Sequence, residues 1–178
     1  MHAIALALLV LAAEPKSTAV KSSANGLYAI HFEQLDEKTC RVVATKDRDQ
    51  AWKLDRCLAT VDDLLFISND GTRFWVLKVL PELPESPAVR DAPAKAKKID
   101  PMYETVVATE YDKEGKLLQS KKLKDFLEYK RRGLIRKLEK HFKWVQGALD
   151  VPGKSPRVSD AELLELEPVS GKTQQLRF

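Results

Sequence analysis

The stretch at residues 68–77, SNDGTRFWVL, decides the fold class that this 178-residue sequence predicts. Asn69-Asp70-Gly71 separates two apolar runs, residues 64–67 and 74–77. Glycine adopts the positive φ that tight hairpin turns require, and asparagine and aspartate bond readily to the backbone of such turns. The stretch therefore predicts a β-hairpin.

The strand that follows this turn is apolar on both of its faces. Side chains alternate across a strand, so Phe74 and Val76 face one way while Trp75, Leu77 and Val79 face the other. An antiparallel strand with one wet face would show polar residues at every second position. We therefore expect a central hairpin that lies between two layers, and we favour this structural role over a ligand platform.

Further strand patterns lie on both sides of this hairpin. Hairpin glycines recur at Gly26, Gly71 and Gly115, with spacings of 45 and 44 residues, and again at Gly171. The sequence predicts a mainly β fold of antiparallel sheets, either sandwich-like or propeller-like with units of ~44 residues, although the side chains between the glycines match poorly. The other apolar or alternating runs are residues 27–32, 39–45, 51–58, 103–111, 116–123, 162–169 and 173–178.

One amphipathic basic helix is predicted near the C-terminal third, with Asp125 as its N-cap. Gly133 weakens the middle of this helix, and Arg131 falls near its apolar face. Residues 141–145, HFKWV, alternatively begin a strand. The apolar face consists of Leu127, Leu134, Ile135, Leu138, Phe142 and Val145. The opposite face holds Lys130, Arg132, Arg136, Lys137, Lys140 and Lys143.

The chain is mildly basic overall, at +4, but its charge is unevenly distributed. Residues 113–143 contain twelve Lys or Arg and four Asp or Glu, a local +8, so the remainder sums to −4. The cations of the predicted helix therefore suggest an anion-binding face for an acidic polysaccharide or for the headgroups of a membrane. Nucleic acid is a less favoured partner, and a simple solvated face is the alternative.

The N-terminal residues have the composition of a secretory signal peptide. Residues 3–13, AIALALLVLAA, are uncharged, end in small residues and reach only about half of the ~30 Å hydrocarbon core of a bilayer. We expect residues 1–13 to be a signal peptide, 14–22 a flexible N-terminal segment and 23–178 a single β-rich domain without a transmembrane segment. For residues 1–13, the alternative is a strand or a frayed apolar N-terminus. Recurring prolines and charges mark residues 81–98 as an exposed Pro/Lys-rich loop.

Two cysteines, Cys40 and Cys57, lie in predicted strands on either side of a polar turn. An exported protein meets an oxidising compartment, in which two such thiols pair. Two cysteines without a nearby histidine do not make a zinc site, and no cationic partner marks a catalytic thiolate. We therefore predict a Cys40–Cys57 disulfide, and localisation in the periplasm, in the outer envelope or outside the cell.

Motifs for catalysis and metal binding are weak. Acids at alternate positions before Gly115 resemble the start of an EF-hand loop, but Lys121 stands where the closing glutamate is needed. His31 and His141 follow the predicted signal peptide and form no HExxH-like spacing. No catalytic, cofactor-binding or metal site is predicted, and an enzyme is the less favoured interpretation. A hydrolase would need a cleft that gathers one of these histidines with an acid and a nucleophile.

Several segments together resemble a group of exported proteins of unknown function from myxobacteria and related bacteria. The segments are SANGLYAIHF at 23–32, WKLDRC at 52–57, SNDGTRFWVL at 68–77, YDKEGKLL at 111–118, HFKWV at 141–145 and PRVSDAELLELE at 156–167. The resemblance extends over residues 23–178 and consists of turns and core aromatic residues. It implies a small exported β domain and supplies no activity and no functional residue.

Three functions are compatible with the sequence. The favoured one is an exported, non-enzymatic β module that acts by protein contacts in the cell envelope. The second is a binder of anionic polymer or of a membrane surface through the basic helix. The third is a hydrolase with an unrecognised site.

Overall fold

The computed structural model describes residues 15–84 and 100–178, which form a mainly β fold of antiparallel strands with little helix. The predicted signal peptide at 1–13 and residues 85–98 of the predicted loop lie outside the described residues. Helical structure comprises α1 (Leu123–Phe126) and two 3₁₀ helices, Pro101–Glu104 and Tyr129–Leu134. The strands are β1 (Lys16–Ser17), β2 (Lys21–Ser22), β3 (Tyr28–Gln34), β4 (Cys40–Lys46), β5 (Asp49–Leu54), β6 (Leu64–Ile67), β7 (Arg73–Leu77), β8 (Val106–Asp112), β9 (Leu117–Lys122), β10 (Arg136–Lys137), β11 (Phe142–Lys143), β12 (Arg157–Val158), β13 (Leu163–Leu166) and β14 (Gln174–Arg177).

The strands form three larger antiparallel sheets that follow one another along the chain. In the first sheet β3, β4 and β5 lie side by side, and both β1 and β2 pair with β3. The second sheet has the order β6-β7-β8-β9, and the third has the order β12-β13-β14. A two-stranded hairpin, β10-β11, lies between the second and third sheets in the sequence. The predicted class, mainly β with antiparallel sheets, is confirmed.

The predicted central hairpin is confirmed as the middle of the second sheet. β7 pairs with β6 on one side and with β8 on the other. Its two faces enter different apolar cores. Phe74 and Val76 pack with residues of the first sheet, whereas Trp75 and Leu77 pack with residues of the third sheet. The second sheet therefore lies between two apolar layers, as the lack of polar alternation in β7 predicts.

The turn that closes this hairpin has a backbone geometry that glycine adopts without strain. Gly71 has a φ of +70°, and its N–H donates to Ser68 O at 3.0 Å. The Ser68 hydroxyl donates to Asp70 Oδ1 at 2.6 Å. In the turn before β3, Gly26 has a φ of +72° and its N–H donates to Ser23 O, also at 3.0 Å, and the serine hydroxyl bonds in the same way. Two turns 45 residues apart are therefore the same local structure.

Three turns meet and join the three sheets. Asn25 N donates to Asn69 Oδ1 at 2.8 Å, which links the turn before β3 to the turn before β7. Asn69 N also donates to Glu162 Oε1 at 2.7 Å. Glu162 directly precedes β13. Glu162 has a φ of +56°, which residues other than glycine rarely adopt. Hydrogen bonds from backbone N–H groups therefore fix these turns against one another.

The predicted Cys40–Cys57 disulfide is confirmed. The two Cα atoms lie 4.9 Å apart, within the normal range for a disulfide. Cys40 begins β4 and Cys57 follows β5, so the bond closes the open end of the β4–β5 hairpin. Cys40 is buried in the core between the first and second sheets, whereas Cys57 is exposed.

Two short strands of the N-terminal segment at 14–22, a segment predicted to be flexible, pair with the first sheet. β1 and β2 both align with β3. Between them Thr18 is buried, its N–H donates to Phe32 O at 2.9 Å and its hydroxyl accepts from Phe32 N at 2.9 Å. The sequence does not reveal this edge because two-residue strands are too short to show a period.

The prediction of one basic amphipathic helix beginning at Asp125 is wrong. α1 ends at Phe126, a 3₁₀ helix and β10 follow, and β11 begins at Phe142, which confirms the alternative that HFKWV starts a strand. A continuous helix would turn Trp144 about 120° away from the centre of its apolar face. In the structure Trp144 is fully buried, and its Nε1 donates to Lys78 O at 2.7 Å. An indole buries more apolar area than a leucine, so the strand geometry prevails.

Replacing Arg48 with glycine is expected to stabilise the protein by about 0.5–1 kcal/mol. The two-residue turn between β4 and β5 holds Asp47 at a φ of +50° and Arg48 at +77°. This left-handed region costs a residue with a side chain about 1–2 kcal/mol, and the extra freedom of glycine in the unfolded chain offsets part of the gain. Chemical denaturation measures the difference. Arg48→Ala is the matched control, since it removes the guanidinium and keeps the strained backbone; an equal gain there would contradict the backbone explanation.

Candidate functional site: a basic lobe

Residues 128–140 form an exposed segment between α1 and β11, here called the basic lobe. It contains the 3₁₀ helix Tyr129–Leu134, both residues of β10 and the turn that leads to β11. All of its residues are exposed except Ile135, which joins the apolar core. Six of its thirteen residues are Lys or Arg and two are Glu, so its local charge is +4. The basic lobe therefore concentrates positive charge outside the core.

Buried aromatic residues on both sides hold the basic lobe in place. Phe126 lies just before it and Trp144 just after it, and their ring centroids are 5.0 Å apart. The Tyr103 hydroxyl donates to Glu128 O at 3.3 Å at the start of the lobe. At the end of the lobe, the backbone N–H of Leu83 donates to Lys140 O at 2.7 Å. The two ends of the basic lobe are therefore fixed to the body of the protein.

The six cations predicted as an anion-binding face do not share a helix, but five of them are exposed on the basic lobe. Arg132 lies over the Tyr129 ring, with its Cζ 4.6 Å from the ring centroid. Lys130 pairs with Glu128 at 2.8 Å, and Arg136 lies 3.9 Å from an exposed aspartate carboxylate. The five exposed cations are Lys130, Arg132, Arg136, Lys137 and Lys140.

Lys143 and Arg131 have the opposite exposure to that predicted from helical periodicity. The Lys143 side chain is only 13% exposed, and it donates to Leu149 O at 2.8 Å and to the Asp150 carboxylate. Lys143 is therefore a structural cation and not part of the lobe surface. Arg131 is exposed, and its Nη1 donates to Ser170 O at 3.1 Å. The sequence offers no signal for this exchange, because both assignments depend on a helix that does not form.

The acid Glu128 lies among cations at the start of the basic lobe. A hydrogen bond from Lys130 lowers the pKa of Glu128, and the charges of Lys130, Arg131 and Lys172 act in the same direction. Arg131 and Lys172 also line an open depression of about 160 Å³ beside the lobe. These cations thus stabilise the ionised form of the exposed Glu128 carboxylate.

The basic lobe also exposes large apolar side chains. Tyr129, Leu134 and Leu138 are 49%, 52% and 36% exposed. The helical pattern assigns both leucines to the buried face together with Ile135, but only Ile135 is buried. Because the 3₁₀ helix ends at Leu134 and a strand begins at Arg136, the continuous apolar face is broken. The result is a surface that exposes both apolar and cationic side chains.

A wider groove of about 590 Å³ includes Asp63, Lys78 and His141 in its lining. Burial raises the pKa of Asp63, although a hydrogen bond from Thr60 N at 2.8 Å acts in the opposite direction. A buried acid and a histidine that line one groove are two of the three groups that a hydrolase would require. Here the bond from Thr60 closes the turn before β6, which gives Asp63 a structural role.

The other histidine, His31, belongs to a row of ionisable side chains on the first sheet. His31 Nε2 lies 2.8 Å from Glu33 Oε1, and Arg41 Nε donates to Glu33 Oε2 at 2.6 Å. Partial burial acts to raise the pKa of Glu33, but the hydrogen bonds and charges of these two partners lower it overall. Glu33 and Arg41 are opposite each other on β3 and β4. Cross-strand pairs of this kind stabilise a sheet.

Within residues 15–84 and 100–178, no group of three or more His, Cys, Asp and Glu side chains is placed to hold a metal ion. The helices in that part of the chain are too short to cross a bilayer. Comparisons of this chain with protein-family models, with curated proteins and with solved structures found no match.

Proposed function

We propose that this protein is an exported, non-enzymatic β module that binds an anionic partner through its basic lobe. The observation that supports this most directly is a set of six exposed cations on a thirteen-residue segment that contributes only Ile135 to the apolar cores. In this proposal the three sheets are the scaffold that holds the surface. The six cations are Lys130, Arg131, Arg132, Arg136, Lys137 and Lys140.

Most of the positive charge on the basic lobe is available to a partner. The Lys130–Glu128 pair is exposed, and the contact of Arg136 with its aspartate is long at 3.9 Å, so both are expected to contribute little. Arg131 and Arg132 bond to a carbonyl oxygen and to a tyrosine hydroxyl, neither of which neutralises their charge. Crowded cations repel one another, and a bound anion relieves that repulsion.

We further propose that the protein acts in the cell envelope or outside the cell. The Cys40–Cys57 bond supports this location because disulfides persist in oxidising compartments. The apolar residues 3–13 and the resemblance to exported proteins of myxobacteria favour the same location. The partner would then be an envelope protein with an acidic surface, an anionic polysaccharide or a lipid surface.

We also propose that the sheets are serial, blade-like units of a repeated architecture. The matching turns at Gly26 and Gly71, and sheets built from consecutive strands, support this interpretation over a sandwich. In such an architecture the basic lobe would be an insertion between the second and third units.

Retention on immobilised heparin, used as a generic acidic polymer, tests the proposed function. We expect the wild-type protein to elute above physiological ionic strength, about 0.15 M, and the R132E/R136E/K140E variant to elute below it. Each of the three substitutions changes the charge of the lobe by two, so the sign of its net charge reverses.

The matched control is K38E/K53E/K116E, which changes the net charge equally at exposed lysines outside the basic lobe. This control should elute close to the wild type. Elution of the wild type below physiological salt, or an equal loss of retention in both variants, would contradict an anion-binding site on the basic lobe.

A further inference from the structure

We infer that the partner of the basic lobe is the surface of a bilayer that contains anionic lipid. The cations would contact headgroups, and Tyr129, Leu134 and Leu138 would reach the boundary of the acyl chains. This inference rests on the proposed function and identifies the partner of the same surface. The lobe would lie in the interface without crossing the bilayer.

Exposed apolar side chains are concentrated on the basic lobe. Eight large apolar side chains are exposed in the part of the chain that the structure describes, and three of them fall on these thirteen residues. Single exposed leucines are ordinary on protein surfaces, but apolar groups clustered with cations mark an interaction surface. The other five are Val20, Leu27, Leu35, Leu117 and Leu118.

The mixture of cations and leucines discriminates between anionic partners. An acidic polysaccharide neutralises Lys and Arg side chains but offers an aliphatic side chain no apolar phase. The headgroup region of a bilayer supplies phosphate to the cations and, slightly deeper, hydrocarbon to the leucines. Leu134 and Leu138 therefore favour a lipid surface over an anionic polymer.

Tyr129 and Arg132 form a unit that suits the same boundary. The Arg132 guanidinium lies over the Tyr129 ring and donates to its hydroxyl. The Tyr103 ring, with its centroid 5.3 Å from that of Tyr129, holds the latter in place. Tyrosine is enriched at membrane interfaces because its ring is apolar and its hydroxyl is polar. The pair thus presents an apolar ring and a cation together at a fixed position.

Vesicle flotation tests this inference, with heparin retention measured in parallel. The probes are vesicles of pure phosphatidylcholine and vesicles in which about 30% of the lipid is phosphatidylglycerol. We expect the wild type to bind only the anionic vesicles, and to be released by salt. The L134S/L138S variant should bind them about tenfold or more weakly, with unchanged heparin retention and unchanged Tm.

The matched control is L117S/L118S, which removes two exposed leucines from β9 and should bind vesicles as the wild type does. If the Tm of L134S/L138S falls, Leu134→Ser alone replaces it, because Leu134 is the more exposed of the two; its expected loss is about threefold.

Equal vesicle binding by the wild type and the leucine variant would overturn the lipid inference. A wild type that is retained on heparin but does not bind vesicles would also overturn the lipid inference. In both cases the proposed anion-binding function would stand. If the wild type binds neither heparin nor anionic vesicles, both the inference and the proposed function are overturned.

Discussion

Substitution of Gly71 by alanine is expected to lower the free energy of unfolding by about 3 kcal/mol or more. Two costs add at this position. The backbone φ of +70° costs a residue with a Cβ about 1–2 kcal/mol. A Cβ on Gly71 would also lie within 2.5 Å of Tyr28 Cδ1, an overlap that forces either the ring or the turn to move.

The turn has little freedom to move away from Tyr28. Trp52 Nε1 donates to Gly71 O at 2.8 Å, and Asn25 N donates to Asn69 Oδ1 at 2.8 Å. A shift of the turn would lengthen these hydrogen bonds, which connect the first and second sheets. We therefore expect relaxation to recover only part of the steric cost.

Urea denaturation and thermal melting measure this loss, which corresponds to a decrease in Tm of about 6–12 °C for a domain of this size. Gly26→Ala is the matched control: its φ is +72°, but no atom lies within 4 Å of the added Cβ, so only the backbone cost of about 1–2 kcal/mol is expected. Gly133→Ala has open space and no positive φ, and should be neutral or slightly stabilising. Equal losses at Gly71 and Gly26 would contradict the steric role of Tyr28.

The hairpin at Gly71 is predictable from sequence because its signals are local. The turn chemistry of Asn69-Asp70-Gly71 and the two-faced apolar pattern of β7 involve residues that are adjacent in the chain. The turn chemistry and the strand pattern indicate the same hairpin. Such agreement between local signals is typical of segments that fold as their sequence indicates. The Cys40–Cys57 bond is predictable for a related reason, since both cysteines flank a hairpin that short-range patterns already indicate.

The basic lobe is not predictable in the same way, because distant contacts decide its structure. The helical spacing of Leu134 and Leu138 competes with the burial of Trp144, whose indole bonds to Lys78 O on a different part of the chain. Periodicity describes a segment by itself and does not include that docking site. Glu162 is a second example, since it adopts a positive φ while its carboxylate accepts a hydrogen bond from Asn69 N, 93 residues away. The helical pattern thus places five of its six cations on the surface, where the structure has them, but assigns the wrong exposure to the leucines between them.

Removal of the Cys40–Cys57 disulfide in a C40A/C57A variant is expected to lower the free energy of unfolding by about 3 kcal/mol. The bond spans 17 residues in sequence, and a cross-link of this size restricts the unfolded chain more than the folded one. Alanine is the better replacement at Cys40, because a serine hydroxyl would be buried there in an apolar core.

Thermal denaturation with and without dithiothreitol separates the effect of the bond from that of the side chains. The Tm of the wild type should fall by about 6–12 °C on reduction, to a value close to that of C40A/C57A, which should not respond to the reductant. β4 pairs with β3 from Cys40 to Lys46, so the reduced protein should keep its first sheet and still unfold cooperatively. A reduced wild type that melts at the same temperature as the oxidised form would show that the bond does not contribute to stability.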